Sequence, residues 1–316
     1  MTNSLLPQEI LDLLQSLRPV FHSASWESFL YLISGMFLGY AKASVVRASL
    51  IAPPEYNWRR LHDFLRRNRW DASELMVALT RLVLAALYSA DMPSHLFWVL
   101  DSTYLEKVYG KAIEGVLRHH RPHPKRGQAP RLYGHGLVVV AHLYQKSTHR
   151  FRALLLGGLL YIKQATFVEL GQKMITILPL PKDTHNIVVT DRGLTSLKLS
   201  KPLVKEGIYT LGRVKSNATF YLPATLADYK GRGRHPIYGQ KFRASNVPSD
   251  LMQKAQMPIP VGGKLFTGNI SRGTFLRRGF PLPVELLRVD VGNLPPWLLM
   301  LTDPTLSTEE ALWIYY

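Results

Sequence analysis

The chain has no cysteine among its 316 residues. This absence excludes disulfide bonds, thiolate metal sites and a cysteine nucleophile, and it agrees with a reducing compartment. Long apolar runs are missing as well. The longest uncharged apolar run, 29–41, ends before Lys42, whereas a membrane-spanning helix needs roughly 20 residues. Because the first residues also lack a basic region and a small-residue cleavage site, we expect no signal peptide, no membrane partner and a cytoplasmic protein.

Acidic residues are scarce, with 22 Asp and Glu against 39 Lys and Arg, which gives a net charge of +17. Such an excess is typical of proteins that bind a polyanion, either nucleic acid or an anionic membrane surface. The segment 58–70 holds five arginines and one acid between aromatic residues. A solvated helix face is the plain alternative, but the clustering of arginine favours phosphate contacts. We therefore predict DNA contacts at Arg59, Arg60, Arg66, Arg67 and Arg69.

Two further segments are basic. The run 213–243 contains seven Lys or Arg residues and one acid, Asp228, with tyrosines between them, and it predicts a nucleic-acid clamp rather than an ordinary surface. The histidine-rich tract 119–126 is interpreted as a flexible phosphate-binding loop in preference to a metal site. These segments add the predicted DNA contacts Arg121, Lys125, Arg126, Arg213, Lys215, Lys230, Arg232, Arg234, Lys241 and Arg243. The sequence GRGRHP lacks the spacing and lysine of a phosphate-cradling P-loop, so nucleotide binding is not expected.

Hydrophobic periodicity divides the chain into two parts. Residues 1–92 show helical spacing, and Asp71 with Glu74 predicts a capped start for the helix that follows. From about residue 96, short apolar runs alternate with helical stretches, which is typical of a partly parallel sheet. The predicted strands lie at 97–100, 137–140, 152–160, 187–189 and 209–212, with a helix at 166–178. We therefore expect an all-helical domain over 1–92 and an α/β domain over 93–316, with a β-rich basic insertion at 216–296.

Two aspartates stand in matching positions, each after a buried strand. Asp101 follows the apolar run 97–100, and Asp191 follows 187–190. Open α/β sheets build their sites where strands reach the surface, and a carboxylate there can bind a hard cation such as Mg²⁺. Capping of the next turn is the alternative role, and Asp290 and Asp303 show that such aspartates recur in this chain.

With these segments in view, the chain resembles the DDE-type transposases of bacterial insertion sequences, in the branch whose RNase H-like fold carries a β-strand insertion. The similar segments occur in family order and are WVLDSTYLEKVYGKAIEGV, LYGHGLVVVAHL, IVVTDRGLTSLKL, YTLGRVKSNATFYLPA, GRGRHPIYGQKF and LLMLTDPTLSTEEALWIYY. The helical start, with RRLHDFLRRNRW, is similar to the DNA-binding region of these enzymes.

The resemblance implies roles for the two aspartates. Asp101 would be the first catalytic and metal-binding carboxylate and Asp191 the second, in a two-metal site for Mg²⁺ or Mn²⁺. It also implies double-stranded DNA as partner, namely terminal inverted repeats and target DNA, a dimer in a synaptic complex, and a place in the bacterial nucleoid. The function implied is metal-dependent strand cleavage and strand transfer.

The family's third carboxylate has no clear counterpart in this chain. In the family it lies on a helix that carries a tyrosine, an arginine, the glutamate and a lysine in that order. The matching helix here starts near Ser307 and shows only the tyrosine. Glu310 pairs with Ser307 in a capping-box pattern, which is the favoured role for acids in a first turn. We therefore expect a transposase truncated before its third acid, and the alternative is a non-catalytic DNA-binding remnant that occupies element ends or inhibits intact transposase.

Overall fold

A computed structural model describes residues 6–38, 45–67, 70–107, 113–121, 124–147, 150–229, 231, 233–261 and 264–316. The chain divides into two compact units. The first comprises Met1–Met92 with Ile177–Pro179, and the second comprises Pro93–Thr176 with Leu180–Tyr316.

The first unit is helical in its described parts. Its helices are α1 (Gln8–Gln15), α2 (Ser23–Leu38), α3 (Val45–Ile51), α4 (Trp58–Arg66) and α5 (Ala72–Leu87). Aromatic side chains dominate its core, where the rings of Phe21 and Phe29 stack at 4.6 Å. The predicted start of α5 is confirmed, because the Asp71 carboxylate accepts hydrogen bonds from the backbone N–H groups of Ser73 and Glu74.

The second unit contains the remaining helices and all the described strands. They are β1 (His95–Glu106), β2 (Leu117–His120), β3 (Arg131–Ser147), β4 (Arg150–Tyr161), α6 (Phe167–Ile177), β5 (His185–Thr190), α7 (Leu197–Lys205), β6 (Ile208–Arg213), β7 (Thr219–Pro223), β8 (Tyr238–Arg243), β9 (Gln253–Val261), β10 (Lys264–Phe275), β11 (Val284–Asp290), β12 (Trp297–Leu301) and α8 (Thr308–Tyr315).

The main sheet is mixed. Its strand order is β2-β3-β1-β5-β6-β12-β11-β10-β9, and β4 pairs with β3. The central pairs β1–β5 and β5–β6 are parallel, whereas the outer pairs are antiparallel. The short, apolar β5 is mostly buried, as is usual for a central parallel strand. The predicted fold class, an RNase H-like α/β sheet with flanking helices after an all-helical start, is confirmed.

The segment between β6 and β12 is rich in strands. Three of them, β9, β10 and β11, extend the main sheet beyond β12, while β7 and β8 form a separate two-stranded sheet. Their packing buries Phe220, Phe242 and Phe275 in a common core cluster. In the part of the chain that the structure describes, no helix has the length and apolarity needed to cross a membrane.

Candidate active site

The two candidate aspartates come directly after the last pair of residues that joins β1 to β5. β1 and β5 run parallel, with Leu100 opposite Thr190 as their last pair. Asp101 and Asp191 are the residues that follow this pair, so they lie side by side where the pairing of β1 with β5 ends. β1 itself does not end there, since it continues to Glu106 in pairing with β3 alone. Beyond Leu100, β1 no longer has β5 as a neighbour, which explains why its residues change from buried to exposed at Asp101.

Both carboxylates are held through one oxygen. The Oδ1 atom of Asp191 accepts hydrogen bonds from the backbone N–H groups of Gly193 at 3.0 Å and Leu194 at 2.9 Å, so this aspartate does cap the turn that follows β5. The Oδ1 atom of Asp101 accepts the N–H of Ser102 at 2.7 Å. Among the described residues, these bonds leave the Oδ2 atom of each aspartate open for another partner.

The electrostatics of the pair suit a cation. Burial raises the pKa of Asp101 above its ordinary value, the N–H of Ser102 lowers it, and the negative charge of Asp191 raises it again. A divalent cation between two neighbouring carboxylates, each with a free oxygen, would offset the negative charge that they bring together. The residues present therefore fit the Mg²⁺ or Mn²⁺ that the resemblance implies.

Two tyrosines near Asp191 were missed by sequence reasoning as site neighbours. Burial raises the pKa of the Tyr104 phenol, and the charge of Asp191 contributes to the same shift. The pKa of Tyr315 on α8 is raised by burial and by Asp191 and lowered by the Arg213 guanidinium. The last helix of the chain thus lies close enough to Asp191 for their charges to interact. Tyr104 lies on β1 three residues after Asp101, and Tyr315 lies on α8, 124 positions after Asp191, so only the folded chain shows that both are close to Asp191.

Two acids in the last part of the chain, Glu310 and Asp303, are engaged with other residues. The Oε2 atom of Glu310 accepts the Ser307 hydroxyl at 2.7 Å and the Ser307 N–H at 3.3 Å, while the Ser307 Oγ atom accepts the N–H of Glu310. The predicted capping box of α8 is therefore confirmed. Asp303 is fully buried and contacts His185, the first residue of β5, so it lies at the opposite end of this strand from Asp191.

The basic residues of α4 form an exposed face. Leu61 and Phe64 are its buried positions, and Arg59, Arg60 and Arg66 point to solvent. The Arg60 guanidinium lies over the ring of Tyr56 at 4.0 Å, and Arg67 pairs with Asp63 at 3.5 Å. The predicted contact Arg69 lies outside the described residues.

The other predicted DNA contacts are spread over the second unit. Lys125, Arg126, Lys215, Arg234, Lys241 and Arg243 are exposed, and Arg213 is half-buried on β6. Arg121 already binds Glu106 at 2.5 Å and donates to the Ala129 carbonyl. Lys230 and Arg232 lie outside the described residues.

The interpretation of tract 119–126 as a flexible loop is wrong at its start. His119 and His120 belong to β2, which pairs with β3. The His119 ring is buried, its Nε2 atom lies 3.1 Å from the Gly134 carbonyl, and burial lowers its pKa. The strand was missed because its partner lies further along the chain. His135 likewise bonds to a backbone carbonyl, that of Glu114, at 3.0 Å.

The fold and the paired aspartates define an RNase H-like class of protein. Residues 13–148 match the model of a family described as DDE superfamily endonuclease. This match confirms the resemblance to DDE-type transposases and supports a transposase or nuclease function; it covers rather less than half of the chain, including Asp101 and stopping before Asp191. No curated protein matches the chain.

Proposed function

We propose that this protein is the DNA transposase of an insertion sequence, which binds terminal inverted repeats and cleaves and transfers DNA strands. The observation that carries the proposal is the parallel register of β1 and β5, which sets Asp101 and Asp191 side by side. The family match and the net charge of +17 support it independently. We further propose that two copies act together at the paired element ends, on nucleoid DNA.

The two aspartates would act as cation ligands. Their Oδ1 atoms accept the backbone hydrogen bonds, which leaves the Oδ2 atoms available to bind Mg²⁺ or Mn²⁺. When bound, such ions neutralise the charge that develops on the transferring phosphoryl group. The turn after β5 holds the Asp191 carboxylate in place through two backbone N–H groups, which reduces the ordering needed when the cation binds.

DNA binding would be shared by the cationic surfaces of both parts of the chain. In this proposal, residues 1–92 form a DNA-binding domain whose α4 arginines contact phosphates, and the strand-rich segment 216–296 with its neighbours holds the element end. The exposure of Arg59, Arg60 and Arg66 and of Lys241 and Arg243 supports these roles.

A second function is favoured by one observation. Glu310, one of the two acids of α8, is engaged in the capping box with Ser307. If no other carboxylate joins Asp101 and Asp191, the chain binds element ends without cutting them. It would then block or inhibit an intact transposase.

The two functions are separated by one assay on the full chain. A supercoiled plasmid carrying the DNA that flanks the gene is incubated with the protein and Mg²⁺ or Mn²⁺, and nicking is measured beside binding. For a transposase, Asp101→Asn or Asp191→Asn should reduce nicking about a thousandfold, since several kcal/mol of charge stabilisation is lost. The matched control is Asp183→Asn, an exposed acid of the same unit, which should nick normally.

Each outcome assigns the function. Nicking that requires both aspartates supports the transposase. Binding without nicking supports the non-catalytic alternative. Normal nicking by Asp101→Asn would place the active site elsewhere, and absence of both binding and nicking would contradict both functions.

A further inference from the structure

A second cluster of metal-ligating side chains lies at the other end of the same strands. His95 and His185 are the first residues of β1 and β5 and are partners in the parallel register. Asp303 follows β12, which runs antiparallel to β6 and so returns the chain to the end at which the parallel strands begin. Six residues of strand separate His95 from Asp101, which corresponds to about 20 Å. The cluster is therefore distinct from the paired aspartates.

The ligand atoms of this cluster converge. One atom from each of His95, His185 and Asp303 lies within 4.8 Å of the others. The Nδ1 atom of His185 is 2.8 Å from the Oδ2 atom of Asp303, and the Nε2 atom of His95 is 4.0 Å from the same oxygen. Donors around a tetrahedral Zn²⁺ ion with bonds of about 2.0–2.1 Å lie roughly 3.3 Å apart, so changes of up to about 1.5 Å in the distances between ligand atoms would complete the geometry.

Neighbouring groups orient two of the three ligands. The Thr305 hydroxyl and N–H both donate to the Oδ1 atom of Asp303, at 2.7 Å and 2.9 Å, which turns Oδ2 toward the histidines. The Ser94 hydroxyl lies 3.1 Å from the Nδ1 atom of His95. The Nε2 atom of His95 and the Nδ1 atom of His185 lie 3.1 Å and 3.3 Å from the Thr305 hydroxyl oxygen, contacts that a bound ion would replace. A partner on the second ring nitrogen is the usual arrangement for a metal-binding histidine.

The buried carboxylate of Asp303 would be stabilised by a positive charge nearby. Its side chain has no exposed surface, and its ion-pair partners among the described residues are the two histidines. A buried carboxylate without a compensating charge is costly. The histidine side chains are 15% and 39% exposed, so an ion can reach the cluster from solvent.

We propose that His95, His185 and Asp303 bind a transition-metal ion, with Zn²⁺ as the ion that two imidazoles and one carboxylate favour. Such an ion ties the segment after β12 to the first residues of β1 and β5. β1 carries Asp101 and β5 leads directly to Asp191, so the site would stabilise the part of the sheet that positions both aspartates. A hard cation such as Mg²⁺ prefers an all-oxygen ligand set and should not compete.

The proposal is tested on the full chain after removal of metals with a chelator. We expect one Zn²⁺ per chain by calorimetric titration, a rise in the thermal unfolding midpoint with Zn²⁺, and no effect of Mg²⁺ on this binding. Replacement by Co²⁺ should give the visible absorption of a tetrahedral nitrogen and oxygen site. None of these readouts depends on DNA cleavage, so their failure is distinct from failure of the proposed function.

Variants decide whether these residues are the ligands. His95→Gln and His185→Gln should each weaken Zn²⁺ binding at least tenfold and abolish the rise in midpoint. His120→Gln, at an exposed histidine of β2, is the control and should bind as the original chain does. Asp303→Asn should lose binding too. If this variant of a buried residue does not fold, the variants at the two partly exposed histidines decide the result. Absence of stoichiometric binding, or unchanged binding in His95→Gln, would overturn the proposal.

Discussion

His142 is a titratable group placed inside the sheet. It lies on β3 with no exposed surface, its ring is 4.8 Å from the indole of Trp98, and its Nδ1 atom lies 3.1 Å from the Phe97 carbonyl. Burial lowers the pKa of His142 to about 4, partly opposed by that hydrogen bond. The folded protein therefore keeps this imidazole neutral at a pH where the unfolded chain binds a proton.

This difference predicts acid sensitivity with a definite sign. Because the pKa in the folded state lies below the unfolded value of about 6.5, stability is complete above pH 6.5 and falls as the pH drops towards 4. The loss should approach about 3 kcal/mol. Urea unfolding between pH 7 and pH 4, compared with His142→Gln, isolates this contribution from the carboxylates. Equal pH dependence in the two proteins would refute it.

At the scale of elements, α2 and α3 meet through a glycine. A Cβ atom at Gly35 of α2 would overlap the Cα and Cβ atoms of Ala48, a fully buried residue of α3. Alanine is intrinsically better than glycine within a helix by about 1 kcal/mol. Here the close approach of the two helices outweighs that preference, since a backbone atom cannot rotate away.

We expect Gly35→Ala to destabilise the helical unit by about 1–3 kcal/mol, as overpacking of a tight contact does. The control is Met36→Ala at the adjacent, exposed position, where the change should be within about 0.5 kcal/mol. Chemical unfolding followed by circular dichroism measures both. A stabilised Gly35→Ala protein would show that α3 can move aside at little cost.

At the scale of the whole molecule, the described arginines include both side chains paired with acids and side chains exposed to solvent. Some arginines are bound to acids: Arg288 contacts both carboxylate oxygens of Asp290, and Arg272 binds Glu285. Others, such as Arg59 and Arg66 on α4, are exposed. Only cations that can exchange a counterion for a phosphate contribute to the salt dependence of DNA binding.

The triple substitution of Arg59, Arg60 and Arg66 by Gln should therefore lower the slope of log K against log salt by up to about 2–3 units. Arg288→Gln, which removes one positive charge already paired with Asp290, should leave the slope nearly unchanged. Fluorescence anisotropy on a duplex at several salt concentrations gives both values. An unchanged slope in the triple variant would assign α4 to an ordinary solvated face.

The sequence by itself determined the features that depend on near neighbours along the chain. The start of α5 at Asp71 and the capping box of Ser307 with Glu310 involve residues two or three positions apart, and both are present. The apolar run before Asp191 was enough to predict a buried strand, because a strand covered on both faces is apolar on both. The α/β class followed from the alternation of strands and helices, and the RNase H-like fold followed from the resemblance of the ordered segments to a known family.

Only the tertiary structure decided which distant residues share an edge of the sheet. The continuation of β1 past Asp101 and the strand at His119 both depend on pairing with β3, which no local pattern records. His185 and Asp303 lie 118 positions apart and meet because β12 enters the sheet antiparallel to β6. Hydrophobic periodicity specifies which face of a strand is buried, whereas strand order and direction depend on contacts between segments that are far apart in sequence.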